Sequence, residues 1–146
     1  MDLILWRHAD AEDGVPDDER RLTAKGRRQA QKMAAWLTEQ LSGDCRVIVS
    51  PAMRTRETAA AFTDKPVIDK AVSTSATPQG VLQAAGWPDA AGTVVVVGHQ
   101  PTLGATAALA LTGEAAAWSL KKGAVWWLAH DQDGVRVKAV IAPGIL

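Results

Sequence analysis

The sequence predicts an α/β protein: a three-layer sandwich with a mostly parallel central sheet and an antiparallel element at one edge. Three observations carry this reading. Short apolar runs without polar alternation, the pattern of strands buried on both faces, are separated by stretches of helical periodicity. The clearest such run, Thr93-Val94-Val95-Val96-Val97, is β-branched throughout. Near the end, two strand-like runs flank Asp131-Gln132-Asp133-Gly134, a hairpin signal.

In chain order, residues 2–6 read as a buried strand and 9–22 as a loop rich in acids. Thr23 is placed as the N-cap of a helix over 24–41, where Ala30, Met33, Ala34, Leu37 and Leu41 recur at helical spacing. Residues 46–49 form a second strand. Ser50-Pro51 follows as a cap with a proline at the first helical position, leading into a helix over about 52–62. Residues 64–77 are mostly irregular, with a short strand at Val67-Ile68. Thr77-Pro78 repeats the cap-plus-proline signal for a helix through Ala85, ended by Gly86. Strand 93–97 runs into Gly98-His99-Gln100-Pro101 and a helix to about Leu111. Strands 124–129 and 135–141 close the chain.

At 146 residues the chain is read as one domain, 1–146, able to bury a single core. Apolar residues make up 47% and charged residues 22%, and the formal net charge is zero. That balance gives no basic bias toward nucleic acid. No apolar run approaches the ~20 residues of a membrane span. Met1-Asp2 shows no signal-peptide pattern. Cys45 is the single cysteine, so an internal disulfide is impossible and a cysteine-based zinc site is not expected. A cytoplasmic location follows as an expectation.

Three predicted strands end in reactive or anion-binding residues: Arg7-His8, Ser50 leading to Arg54, and Gly98-His99. Ligands of open α/β sheets sit beyond the carboxyl ends of the strands. If these strands are parallel neighbours, two imidazoles and two guanidiniums meet in one pocket, with no obvious paired carboxylate. Helices starting near Pro51 and Pro101 would aim their positive ends there. Such a set suits an anion, above all phosphate, because the guanidinium fork matches its oxygens.

These residues resemble the histidine phosphatase superfamily. Arg7-His8 matches the first two positions of its Arg-His-Gly signature, Ser50-Pro51-Ala52-Met53-Arg54-Thr55-Arg56-Glu57-Thr58 its second phosphate-binding segment with Arg54 as the arginine, and Gly98-His99 its second histidine. Leu22-Thr23-Ala24-Lys25-Gly26, Gly98-His99-Gln100-Pro101-Thr102-Leu103 and Lys121-Lys122-Gly123-Ala124-Val125-Trp126-Trp127 are similar to the SixA-type branch. The resemblance implies a phosphoglycerate mutase-like fold and a phosphatase that needs no metal or cofactor. It implies His8 as nucleophile, transiently phosphorylated, with Arg7, Arg54 and His99 binding the phosphoryl oxygens. Within the SixA-type branch it implies removal of phosphate from phosphohistidine on a protein partner.

Two departures stand out. The signature glycine is Ala9 here, which implies an ordinary negative φ or mild strain. The middle segment that supplies a proton-donating acid in monoesterases has none: residues 70–88 contain no Asp or Glu. The leaving group sets the cost. An alkoxide, whose conjugate acid has a pKa near ~15.7, needs protonation worth roughly 10²–10⁴-fold. A neutral imidazole, with a conjugate acid near ~6.5, leaves with far less help. The set therefore favours P–N over P–O cleavage. The alternatives are a small-molecule phosphomonoesterase, a mutase, and a phosphate-recognition module without turnover.

Other residues have plainer readings. Arg56 and His130 are expected at the surface, and Cys45 as a passive thiol. Arg20 and Arg21 read as a solvated loop, or as a guide for an acidic partner. Asp10, Glu12 and Asp13 are a charged loop, or a stand-in acid. Glu57 either steadies an arginine of the site or is a surface carboxylate. Trp126 and Trp127 must face opposite ways on their strand, which makes one of them a candidate for exposure.

Overall fold

Residues 1–146 are all described in the computed structural model. One sheet holds six strands: β1 (Asp2–Arg7), β2 (Cys45–Val49), β3 (Val67–Ile68), β4 (Thr93–Gly98), β5 (Val125–Asp131) and β6 (Gly134–Ile141). Four α-helices connect them: α1 (Ala24–Gln40), α2 (Met53–Ala60), α3 (Pro78–Ala85) and α4 (Thr102–Thr112). The strand order is β3-β2-β4-β1-β5-β6. β3, β2, β4 and β1 are parallel, and β5 and β6 add antiparallel at one edge.

Strand alternation sorts the apolar residues into two layers. Leu3, Leu5, Ile48, Val94, Val96 and Leu128 meet Val81 and Ala85 of α3 and Leu103 and Ala107 of α4. Ile4, Trp6, Val47, Val49, Val95 and Val97 meet Met33, Ala34 and Leu37 of α1 and Ala59 of α2. Trp126 and Trp127 divide in the same way. Trp126 stacks on Trp118 and Trp127 meets Trp36 edge-on, and neither is exposed.

The helix starts follow capping chemistry, with one correction. Thr23 accepts from the Gly26 N–H, and Thr77 from the Gly80 N–H with Pro78 at the first position. At α2 the expected cap-plus-proline start is displaced. The helix begins at Met53 with Ala52 as its N-cap, and the Ser50 hydroxyl is turned toward His99 instead.

Between β1 and α1, residues 8–23 form a strap rather than an open loop. Ala11 pairs with Leu22, and Asp17–Glu19 make a single 3-10 turn. Ala9 packs its methyl group with Leu22 and Ala30. No residue other than glycine has a positive φ, so alanine stands at this position without backbone strain. Gly26 lets α1 pass directly over the strap: a methyl group there would overlap the backbone carbonyl of Asp10. Neither backbone segment can yield cheaply, so Gly26→Ala is expected to cost about 3 kcal/mol of stability, read from urea denaturation. An unchanged midpoint would show that the strap is loosely seated.

Candidate active site

The register of three parallel strands decides where the site lies. Arg7 stands opposite Gly98 across β1 and β4, and Val49 opposite Val97 across β2 and β4. The strands end level, and the residues after them are neighbours. The His8 N–H donates to the Gly98 carbonyl at 3.1 Å, and the Ser50 N–H to the Val97 carbonyl at 3.1 Å. β1 delivers Arg7 and His8, β4 delivers His99, and the first turn of α2 delivers Arg54. The His8 and His99 rings lie 5.5 Å apart between centroids, inclined at 57°. His8, His99 and Arg54 are 7%, 5% and 4% exposed.

Each of these side chains is held by a specific partner. His8 Nδ1 lies 2.8 Å from the Ala9 carbonyl. A carbonyl only accepts, so the hydrogen-bond network assigns the proton to Nδ1 and leaves Nε2 its lone pair. His99 Nε2 lies 2.7 Å from Ser50 Oγ, which also accepts from the Ala52 N–H at 3.3 Å. The Ser50 hydroxyl keeps a second lone pair and its own proton, so it serves either tautomer of His99, donating to a bare Nε2 or accepting from Nε2–H. Arg7 Nη1 donates to the Leu120 carbonyl at 2.9 Å. Arg54 donates from Nη1 to the Asp17 backbone carbonyl at 2.8 Å and from Nη2 to Asp17 Oδ2 at 3.0 Å. The buried side-chain nitrogens left without a partner are Arg7 Nε, Arg54 Nε and His99 Nδ1. A buried N–H without an acceptor costs about 1–3 kcal/mol, so two unpartnered guanidinium N–H groups beside an unpartnered imidazole nitrogen demand a reason.

Comparison with known proteins supplies a frame for this arrangement. The family model for the histidine phosphatase superfamily (branch 1) matches residues 3–73, a span that holds Arg7, His8 and Arg54. Over those residues the chain carries the sequence pattern of the histidine phosphatase superfamily. A curated relative, an uncharacterized protein of Mycobacterium leprae, is 35% identical over 103 residues, 69% of this chain and 63% of that protein. The chain thus spans less than two thirds of that relative's length. The solved structure of the protein histidine phosphatase SixA complexed with tungstate superposes with a TM-score of 0.86 at 23% identity, over 99% of each chain. A protein described as a candidate phosphohistidine phosphatase SixA, from Nakamurella multipartitia, gives a TM-score of 0.81 at 28% identity, over 97% of this chain and 95% of that one. The expected phosphoglycerate mutase-like fold is therefore the observed one.

Relative to that superfamily frame, the strap changes the expected charge balance. The absence of a paired carboxylate is overturned, because Asp17 takes both terminal nitrogens of Arg54. Arg20 is not a freely solvated residue. Its Nε donates to the Glu12 carbonyl at 2.7 Å and its Nη1 to Asp17 Oδ1 at 3.1 Å. Arg21 is exposed, 3.7 Å from Glu57. Glu57 steadies the strap rather than a site arginine: it accepts from the Leu22 N–H and pairs with Arg27. Asp10 is tied to Thr23 and Lys122, which hold its carboxyl below the usual range, so it is poorly suited to donate a proton. Glu12 and Asp13 are exposed, as is Arg56. His130 is half-buried against Trp87 rather than at the open surface. Cys45 begins β2, and burial raises its thiol pKa, as suits an inert side chain.

Three supporting residues have no role of their own assigned by the sequence. Thr58 accepts from the Ala9 N–H and donates to the Arg54 carbonyl, joining the strap to α2. Gln100 spans from the Gly104 N–H to the Trp118 carbonyl. Asp17 is one acid among six in the strap, and nothing in its spacing separates it from the others.

Burial, aided by the Arg54 charge and opposed at His8 by the hydrogen bond to Ala9, pushes His8 down to about 4 and His99 down to about 3. The folded rings bind fewer protons than the unfolded ones. Their contribution to stability is therefore complete above about pH 6.5 and is lost as pH falls toward those values. Titration by NMR is expected to find both rings neutral at about pH 5.5. A midpoint near 6.5 for either ring would show it to be solvated rather than enclosed. Ser50→Ala is expected to lower the affinity for tungstate about 10-fold by freeing the His99 ring, with little change in melting temperature. Unaltered affinity would mean that the ring is held by other contacts.

Proposed function

We propose that this chain is a metal-independent phosphatase whose substrate is phosphohistidine on a protein. The observation that carries the reading is the convergence of two neutral imidazoles and two guanidiniums on one sheet end, with Nε of Arg7, Nε of Arg54 and Nδ1 of His99 unpartnered. A tetrahedral dianion offers the two guanidinium donors the acceptors they lack.

In the proposed reaction, His8 Nε2 attacks phosphorus in line. The new N–P bond forms as the substrate's N–P bond breaks, and the departing imidazole nitrogen takes a proton from solvent. Arg7, Arg54 and His99 hold the non-bridging oxygens while charge is redistributed. Water then attacks the phosphorylated His8, releasing inorganic phosphate and restoring the neutral ring with its proton on Nδ1.

The scarcity of acids favours this substrate class. Residues 70–88 carry no carboxylate. Hydrogen bonds from Arg20 and Arg54 hold the Asp17 carboxyl below its usual range, so it is ionised at neutral pH. A leaving imidazole tolerates such a site and an alkoxide does not. The similarity to proteins described as SixA phosphohistidine phosphatases points the same way.

The test compares a histidine-phosphorylated protein with a phosphoserine peptide and an alkyl phosphate. Turnover of the first is expected to exceed the others by about 10²-fold or more, and His8→Ala is expected to abolish it. Equal rates on all three would remove the phosphohistidine assignment. Acid-labile radiolabel on a residue other than His8 would remove the covalent route.

A further inference from the structure

We propose that Asp17 is a positioning residue: its carboxylate and backbone carbonyl lock the Arg54 guanidinium so that its Nε edge, rather than its terminal edge, faces the phosphoryl group. The inference rests on the phosphatase reading for its substrate and on geometry for its content. A guanidinium has five N–H donors arranged in a plane. Asp17 engages one on Nη1, through its carbonyl at 2.8 Å, and one on Nη2, through Oδ2 at 3.0 Å. Two bonds in one plane fix both the position and the rotation of the group. Nε–H is left buried and without a partner, beside the two histidines whose rings both feel the Arg54 charge.

Asp17 is itself braced. Its second oxygen, Oδ1, accepts from Arg20 Nη1 at 3.1 Å, and Arg20 Nε is pinned to the Glu12 carbonyl at 2.7 Å. Glu12 is held in turn by a backbone bond to Arg21. One carboxylate thus bridges two arginines, and the strap becomes a rigid arm that ends on Arg54. The direction of the effect separates this role from a rival one. A carboxylate near a phosphoryl dianion repels it, so charge alone predicts that removing Asp17 tightens anion binding. A carboxylate that occupied the anion's own place on Arg54 would predict the same. Only a positioning role predicts that removal weakens it.

Tungstate binding by calorimetry and steady-state kinetics on phosphohistidine, with the full chain, decide the matter. In Asp17→Ala the tungstate dissociation constant is expected to rise about 10-fold and kcat/KM to fall about 10²-fold, with kcat sharing in the loss. Asp17→Asn keeps the backbone bond and one accepting oxygen, and is expected to fall between wild type and Asp17→Ala on both measures. Arg20→Ala, which frees Oδ1 without touching Arg54, is expected to shift both in the same direction by less. The Asp17 side chain is more than half exposed, so melting temperatures are expected to stay close to wild type. Tighter tungstate binding in Asp17→Ala, or unchanged binding and kcat, would overturn the inference. Weakened tungstate binding in a protein that hydrolyses none of the phosphorylated substrates would uphold the positioning role while removing the proposed activity. Absence of tungstate binding by the wild type would remove both.

Discussion

The level ending of β1, β4 and β2 is the constraint from which the rest of the site descends. Pairing Arg7 with Gly98 and Val49 with Val97 sets three chain exits side by side at one edge of the sheet. A slip of one residue in either ladder would turn every side chain of that strand to the opposite layer and withdraw its imidazole or arginine from the others. The alternation that fills the two cores is therefore also what aligns the chemistry. Leu3 and Leu5 face one helix layer while Ile4 and Trp6 face the other, and there is one register in which all four are buried.

A second level of organisation is electrostatic. Two arginines and two histidines packed at one point carry no net benefit to folding on their own: the cations repel, and burial opposes every charge. The protein meets this with neutral rings and with fixed acceptors for the guanidiniums. Arg7 is met by the carbonyl of Leu120, and Arg54 by both oxygen types of Asp17. The Ser50 hydroxyl holds the His99 ring while the Ala9 carbonyl sets the tautomer of His8. The outcome is an environment that keeps both imidazoles neutral well below neutral pH and retains positive charge around them.

How much of this could be read from the chain depends on the kind of signal. Strands such as 93–97 and the helix from Ala24 announce themselves by composition and periodicity, because burial acts on every residue in them. His8 and His99 are legible because each directly follows an apolar strand, where the fold class itself places ligands. The start of α2 is misjudged because Ser50 has two competing uses, capping and holding His99, and tertiary contact prevails over local preference. Asp17 is illegible for a different reason. Its role arises from a strap that folds back across the sheet end, and six acids in a row of polar residues offer no pattern by which to choose among them. Ala9 sits between these cases. Its departure from glycine is visible, but its accommodation by Leu22 and Ala30 needs the third dimension.

The segment around Leu120–Ala124 closes onto the start of the chain. Leu120 meets the Arg7 guanidinium, Gly123 donates to the His8 carbonyl and accepts from the Trp6 indole, and Ala124 bonds the Arg7 amide. Each of these bonds joins residues made more than a hundred codons apart. During translation, then, His8 is made more than a hundred residues before the segment that supports it. A nascent polypeptide halted before Leu120 holds the histidine without these contacts, so the sheet end is completed only after that segment has been made.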